Sequence, residues 1–119
     1  MNHFEAADMI ATEIPEVRKE IAAVMTRKNP FQLITIFTRH TRKMIDQHNM
    51  SMIDKCMKLM DRLYYKGDQL VRTAIENIFV YRLGSMVATC DTAERRNIMA
   101  SIPGNLYSVY VRQFYRSGI

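Results

Sequence analysis

Residues 67–90, GDQLVRTAIENIFVYRLGSMVATC, indicate the architecture more strongly than any other part of the chain. Asp68 is suited to cap a helix, because a short carboxylate accepts hydrogen bonds from the first free backbone N–H groups. Apolar side chains then occupy most of the helix circumference, at Leu70, Val71, Ala74, Ile75, Ile78, Phe79, Leu83, Met86 and Val87. A helix that is apolar on most sides must be covered on most sides. The segment predicts a central helix over about residues 68–88.

Outside this segment, apolar residues recur at steps of three and four, which is typical of helices, and alternation with a period of two is scarcely visible. The chain is therefore predicted to be all-α: a compact bundle of about six or seven short antiparallel helices in a single domain over residues 1–119. Helix starts are expected at Pro15, at Asn29–Pro30 and at Asp91, since each has a capping residue or a proline in the first turn.

Residues 30–66 can form one helix or two, and the sequence leaves both possibilities open. A weak break lies at Asn49–Met50–Ser51, where Ser51 and Asp54 are suited to cap a second helix. Gly67 is expected to end this region in the left-handed conformation that glycine adopts without strain.

The composition indicates a globular chain in a reducing compartment. Of 119 residues, 48% are hydrophobic and 24% are charged, and no apolar stretch approaches the ~20 residues that span a bilayer. Two cysteines are too few for a disulfide framework, so a cytoplasmic location without membrane association is expected. The net charge of +5 is spread along the chain, which permits only weak attraction to nucleic acid.

Potential soft-metal ligands recur every four residues within one region, at His40, Met44, His48, Met52, Cys56 and Met60. Each step rises about 6 Å and drifts about 40° around a helix, so at most two neighbours can share a metal. Further ligands must come from other helices, where none is recognisable. The favoured interpretation is core packing, because methionine and free cysteine fill apolar interiors. No cofactor is predicted, and a soft-metal or haem binder is the third hypothesis for function.

The sequence gives little indication of catalysis, and we expect the protein not to be an enzyme. Glu76 lies inside the apolar central helix, but Arg72 is four residues earlier and predicts a surface ion pair. Cys56 falls on an apolar helix face, which favours an unreactive thiol. Glycine-rich phosphate loops and CxxC or HExxH motifs are lacking.

The C-terminal segment NLYSVYVRQFYRSGI, residues 105–119, interleaves aromatic and basic side chains. Leu106, Tyr107, Tyr110 and Phe114 are predicted to pack inward. Arg112, Tyr115 and Arg116 remain as a candidate exposed binding patch, a combination that suits stacked bases and phosphates.

The segments VRTAIENIFVYRLGSM (71–86) and ERRNIMASIPGNLYSVYVRQFYRSGI (94–119) resemble a small family of uncharacterised bacterial helical proteins. In that family an "AIEN-FVY" helix precedes an "IP-x-x-LY" turn and a terminal helix. The resemblance covers roughly residues 70–119 and implies a bacterial, cytoplasmic, all-helical domain without assigned catalytic residues.

These observations favour a non-enzymatic helical module that binds another protein, as an accessory, adaptor or immunity-type component. A homo-oligomer is compatible with the same features. The alternative is a weak nucleic-acid-binding regulator, motivated by the predicted pI of 9.4 and the Arg112, Tyr115 and Arg116 patch.

Overall fold

The computed structural model of the chain describes residues 1–24 and 29–116, with the side chain of Arg116 left out. Its elements are α1 (His3–Glu13), a 3₁₀ turn (Pro15–Val17), α2 (Arg18–Val24), α3 (Pro30–Asp46), α4 (Met50–Lys66), α5 (Gln69–Ala74), a π-helical segment (Ile75–Val80), α6 (Tyr81–Val87), α7 (Thr92–Ala100) and α8 (Gly104–Arg116). Strands do not occur in these ranges. The predicted all-α bundle is confirmed.

The continuous helix over 69–87 lies at the centre of the bundle, as predicted. It packs against α1, α3, α4 and α8, and the rings of Phe37 and Phe79 meet in the core with centroids 5.8 Å apart. Val71, Phe79 and Leu83 are fully buried. Leu70 is 59% exposed, so the prediction that it is buried is wrong, because α5 buries only Val71 and Ala74.

The middle of this helix is a π-helical segment, which was not predicted from the sequence. Buried side chains recur every four residues along the helix, at Val71, Ile75, Phe79, Leu83 and Val87. On a regular α-helix each such step drifts about 40°, so the row would leave the core within a few turns. A wider π turn absorbs one residue and returns the row to the same side.

Side-chain caps define most of the helix starts. Asn29, Asp68 and Asp91 accept hydrogen bonds from the backbone N–H groups of residues two or three positions later, as expected. At α4 the cap is Asn49, which accepts from the Met52 N–H at 3.2 Å. The prediction that Ser51 caps this helix is therefore wrong by two residues, because α4 begins at Met50, directly after Asn49.

Residues 30–66 form two helices. His48 takes a left-handed backbone conformation, with φ of 56°, and the chain reverses between α3 and α4. Gly67 does not adopt a left-handed conformation, since its φ is −70° and its ψ is 150°. The prediction that α4 ends in a left-handed glycine is therefore wrong. A side chain at position 67 would instead lack space, because a Cβ there would lie 2.7 Å from both the Leu63 carbonyl oxygen and Val71 Cγ1.

Arg95 holds the junction between α6 and α7. Its guanidinium donates hydrogen bonds to the carbonyl oxygens of Val87, Ala88 and Cys90, at 3.1–3.3 Å, where α6 ends. A cation at this position satisfies free carbonyl groups and complements the helix dipole. Over residues 1–24 and 29–116, no helix combines the length and apolar character needed to cross a bilayer.

Candidate functional site

A groove of about 450 Å³ opens between the end of α4, α5 and α8, and Arg112 lines it. The other lining residues are Tyr64, Tyr65, Arg72, Asn105, Ser108 and Val109. Asn105, Ser108 and Arg112 share a face of α8 because they are three or four residues apart. The groove therefore combines two arginines, two tyrosines and two small polar side chains.

Tyr64 lines the groove and is hydrogen-bonded to Glu76, which does not line it. The Tyr64 hydroxyl donates a hydrogen bond to Glu76 Oε2 at 2.5 Å, and the tyrosine side chain is almost fully buried. Burial, followed by the hydrogen bond to Glu76, raises the pKa of Tyr64. The hydroxyl thus remains protonated at neutral pH and donates its hydrogen bond to the Glu76 carboxylate.

Arg72 is positioned by the same tyrosine. Its guanidinium carbon lies 5.0 Å from the centre of the Tyr64 ring, within the range of a cation–π interaction. The predicted ion pair between Arg72 and Glu76 is wrong: the described ion pairs do not include it, and the two side chains instead meet different parts of Tyr64.

A hydrogen bond joins α8 to the π-helical segment. Gln113 Nε2 donates a hydrogen bond to the Glu76 carbonyl oxygen at 2.9 Å, and Glu76 belongs to the π turn. Arg112 is the neighbour of Gln113, so the contact fixes the part of α8 that carries the groove arginine.

The aromatic face of α8 is more exposed than the sequence predicted. Leu106 and Val109 are buried, but Tyr107 is 46% exposed and Phe114 is 45% exposed. Tyr110 is partly buried. The inward packing predicted for Tyr107 and Phe114 is wrong, because the smaller Leu106 and Val109 form the contact with the bundle and the aromatic rings lie at its edges.

The three residues of the candidate patch are placed differently. Arg112 lines the groove, whereas Tyr115 is 71% exposed beyond it and meets the Phe114 ring edge-on, with centroids 5.8 Å apart. Arg116 ends α8, and its side chain lies outside the part of the chain that the structure describes. Sequence reasoning missed Arg72, Tyr64 and Tyr65 as neighbours of Arg112.

The groove has an excess of positive charge. Arg72 and Arg112 both line it, and the described lining residues include no acidic side chain. Arg112 takes part in none of the ion pairs found among the described residues. Glu76 does not line the groove, and its Oε2 accepts the hydrogen bond from the Tyr64 hydroxyl.

The six potential soft-metal ligands from His40 to Met60 lie in different environments, some in the core and others at a cavity or at the surface. Cys56 and Met60 are fully buried, in agreement with the predicted core packing, and Met44 is buried but also lines a cavity. Burial raises the pKa of Cys56 to about 11, so it is a neutral thiol at physiological pH. His48 does not belong to the core: its side chain is 70% exposed and its Nδ1 lies 2.8 Å from both carboxylate oxygens of Glu94.

A second cavity, of about 520 Å³, lies between the 3₁₀ turn, α2, α3 and the start of α4. His40, Met44 and Met52 all line it. Among the described residues, no three side chains of the types His, Cys, Asp and Glu come together as a metal-binding group.

Residues 7–116 match the family described as a domain of unknown function (DUF7674). The chain belongs to this family. The DUF7674 match extends well beyond the resemblance over residues 70–119, and with the helical structure it confirms the prediction of an uncharacterised helical family. Neither the curated proteins nor the solved structures contain a match to the chain.

Proposed function

We propose that this DUF7674 domain is a non-enzymatic module of a bacterial cytoplasm that binds another protein, and that the groove around Arg72 and Arg112 receives an acidic segment of that partner. The observation that carries the proposal is that two arginines, one from α5 and one from α8, line the same groove, whose described lining has no carboxylate. Each guanidinium can form two parallel hydrogen bonds with one carboxylate.

The aromatic side chains of the groove support a protein partner. Tyr65 is 79% exposed beside the two arginines, so it offers a large apolar surface next to positive charge. Tyrosine and arginine are enriched at the energetically important centres of protein interfaces. Asn105 and Ser108 add hydrogen-bonding groups that can pair with a partner's backbone.

A protein partner also agrees with the small extent of the positive surface. Phosphate backbones are normally met by clusters of lysine and arginine, and affinity grows with the number of phosphates contacted. The described groove supplies two guanidinium groups, which match one or two carboxylates of a folded or extended partner.

The test is to recover partners from the native host with the full chain, purify the partner and measure binding between the two purified proteins by calorimetry. Arg72→Glu with Arg112→Glu should weaken binding by about thirtyfold or more, because losing one side of a buried charge pair costs about 2 kcal/mol or more. Charge reversal of the matching partner carboxylates should restore part of the affinity.

The matched control is Arg42→Glu with Arg96→Glu, which makes the same change in net charge at two exposed arginines on α3 and α7, outside the groove. This variant should bind like the wild type. Equal loss in both variants would make the effect one of overall charge and contradict the proposed groove. Nanomolar binding to one DNA or RNA sequence, lost only in the groove variant, would establish the nucleic-acid regulator instead.

A further inference from the structure

His40 lines the cavity between α2, α3 and α4, and its Nε2 is buried. Its side chain is only 9% exposed, and Nε2 has no hydrogen-bond partner among the described residues. The nearest carboxylate oxygen, Glu16 Oε2, is 3.8 Å away, which is too far for a hydrogen bond. Buried polar atoms are nearly always paired, so a nitrogen left in this position points to a ligand.

The chain reversal after α3 brings a sulfur-bearing side chain from another helix to the same cavity. His40 and Met44 are one turn apart on α3, and Met52 faces the cavity from α4. Met44 Sδ is 4.0 Å from Asn49 Nδ2, and Asn49 also lines the cavity, so this sulfur lies close to its wall. If residues 40–52 formed one straight helix, Met52 could not approach the cavity beside His40 and Met44.

We propose that His40 Nε2, Met44 Sδ and Met52 Sδ form a binding site for a single Cu(I) ion. Thioether sulfur is a soft ligand that selects Cu(I), whereas hard cations and Zn(II) prefer oxygen, imidazole or thiolate. Methionine side chains are flexible enough to bring their sulfur atoms to a metal held by a fixed imidazole.

Two acidic and two basic side chains line the cavity around the site, namely Glu16, Glu20, Arg39 and Lys43. A neutral imidazole leaves one ring nitrogen free to bind a metal, and in His40 the nitrogen without a hydrogen-bond partner among the described residues is Nε2. Glu16 lies beside Nε2, while Glu20 is paired with Arg39 at 3.6 Å. Lys43 also lines the cavity, and its long side chain can extend its charge towards solvent.

The test is an anaerobic titration of the full chain with Cu(I), supplied as its acetonitrile complex, against the chromophoric Cu(I) ligand bicinchoninate. The wild type should bind one Cu(I) per chain. His40→Gln, and separately Met44→Leu with Met52→Leu, should weaken this binding at least about tenfold, since even groups outside the metal's immediate ligands change affinity by 10- to 100-fold. Leucine replaces methionine at similar volume, so the bundle should keep its helicity.

Two controls separate the site from other soft ligands. Met60→Leu removes a fully buried methionine that does not line the cavity, and it should bind Cu(I) like the wild type. Cys90→Ala removes the more exposed of the two cysteines and should also retain binding. If the double variant loses helicity, Met52→Leu alone replaces it in the titration, because position 52 is partly exposed. This single variant should also weaken Cu(I) binding.

Absence of stoichiometric binding in the wild type would overturn the proposal. So would equal affinity in the His40→Gln or methionine variants, or loss of binding in Cys90→Ala, which would assign the metal to a thiolate. The groove variant with Arg72→Glu and Arg112→Glu should retain Cu(I), because the copper site does not depend on the proposed protein partner.

Discussion

Gly67→Ala should destabilise the protein, although replacing glycine by alanine normally stabilises one. An alanine Cβ at this position would lie 2.7 Å from the Leu63 carbonyl oxygen and 2.7 Å from Val71 Cγ1. The same carbonyl accepts the hydrogen bond from the Gly67 N–H at 2.8 Å, so the backbone cannot move aside without loss. Overpacking of this kind costs about 1–3 kcal/mol.

The net effect is smaller than the steric cost, because alanine also restricts the unfolded chain. That contribution stabilises the folded state by about 0.4–1 kcal/mol. A net loss of about 1–2 kcal/mol in the free energy of unfolding remains. In urea, with a slope of about 1–3 kcal/mol per molar, the unfolding midpoint should fall by about 0.3–2 M.

Gly84→Ala is the matched control. This glycine lies inside α6, and a Cβ there would meet only the Tyr110 hydroxyl, at an ordinary contact distance of 3.7 Å. Alanine should therefore stabilise the helix by about 0.5–1 kcal/mol. If Gly67→Ala is as stable as the wild type in the same urea titration, the steric argument at the α4–α5 junction is refuted.

Three further outcomes are expected. Met57→Asp should unfold or severely destabilise the domain by burying an unpaired charge, whereas Lys58→Asp, at an exposed position, should cost about 1 kcal/mol or less. Equal losses of stability in thermal unfolding would contradict the assignment of Met57 to the buried face of α4 and of Lys58 to the exposed face. The hydrogen bond to Glu94 raises the pKa of His48, so its stabilising effect is complete below the ordinary histidine pKa of about 6.5 and is lost as pH rises through the raised value. The stability difference from His48→Asn should shrink over that window, and a pH-independent difference would contradict the pairing. Binding of fluorescent duplex DNA should be no tighter than about 10⁻⁵ M at physiological salt, with a slope of log affinity against log salt near −2; a slope of about −6 would reveal a larger phosphate-binding surface.

The sequence predicted those parts of the fold that depend on local interactions. Asp68 and Asp91 cap helices by reaching N–H groups three residues away, and the central helix follows from apolar residues on most of its circumference. The end of α3 was harder to predict from the sequence, because His48 rather than a glycine adopts the left-handed conformation there. Gly67 was assigned the wrong role, since its requirement is space and not backbone conformation.

The candidate site could be predicted only in part. Arg112 was identified from its aromatic and basic neighbours, but Arg72 is forty positions earlier in the chain, and only tertiary packing brings the two to one groove. The convergence of Met52 on His40 likewise depends on the reversal between α3 and α4. The four-residue spacing from Val71 to Val87 was a usable signal for the π turn, since a regular helix cannot keep such a row buried.

The π turn makes the length of the central helix variable by one residue at a defined place. On a regular α-helix, the buried residues between Val71 and Val87 would spread over about 240°. With one residue removed from the π turn, for example the exposed Asn77, the same residues would fall within about 140° of a regular α-helix, and both halves could keep their present neighbours. Homologous chains one residue shorter in this segment are therefore compatible with the same bundle, whereas a deletion within α3 or α4 would rotate half of a buried face into solvent.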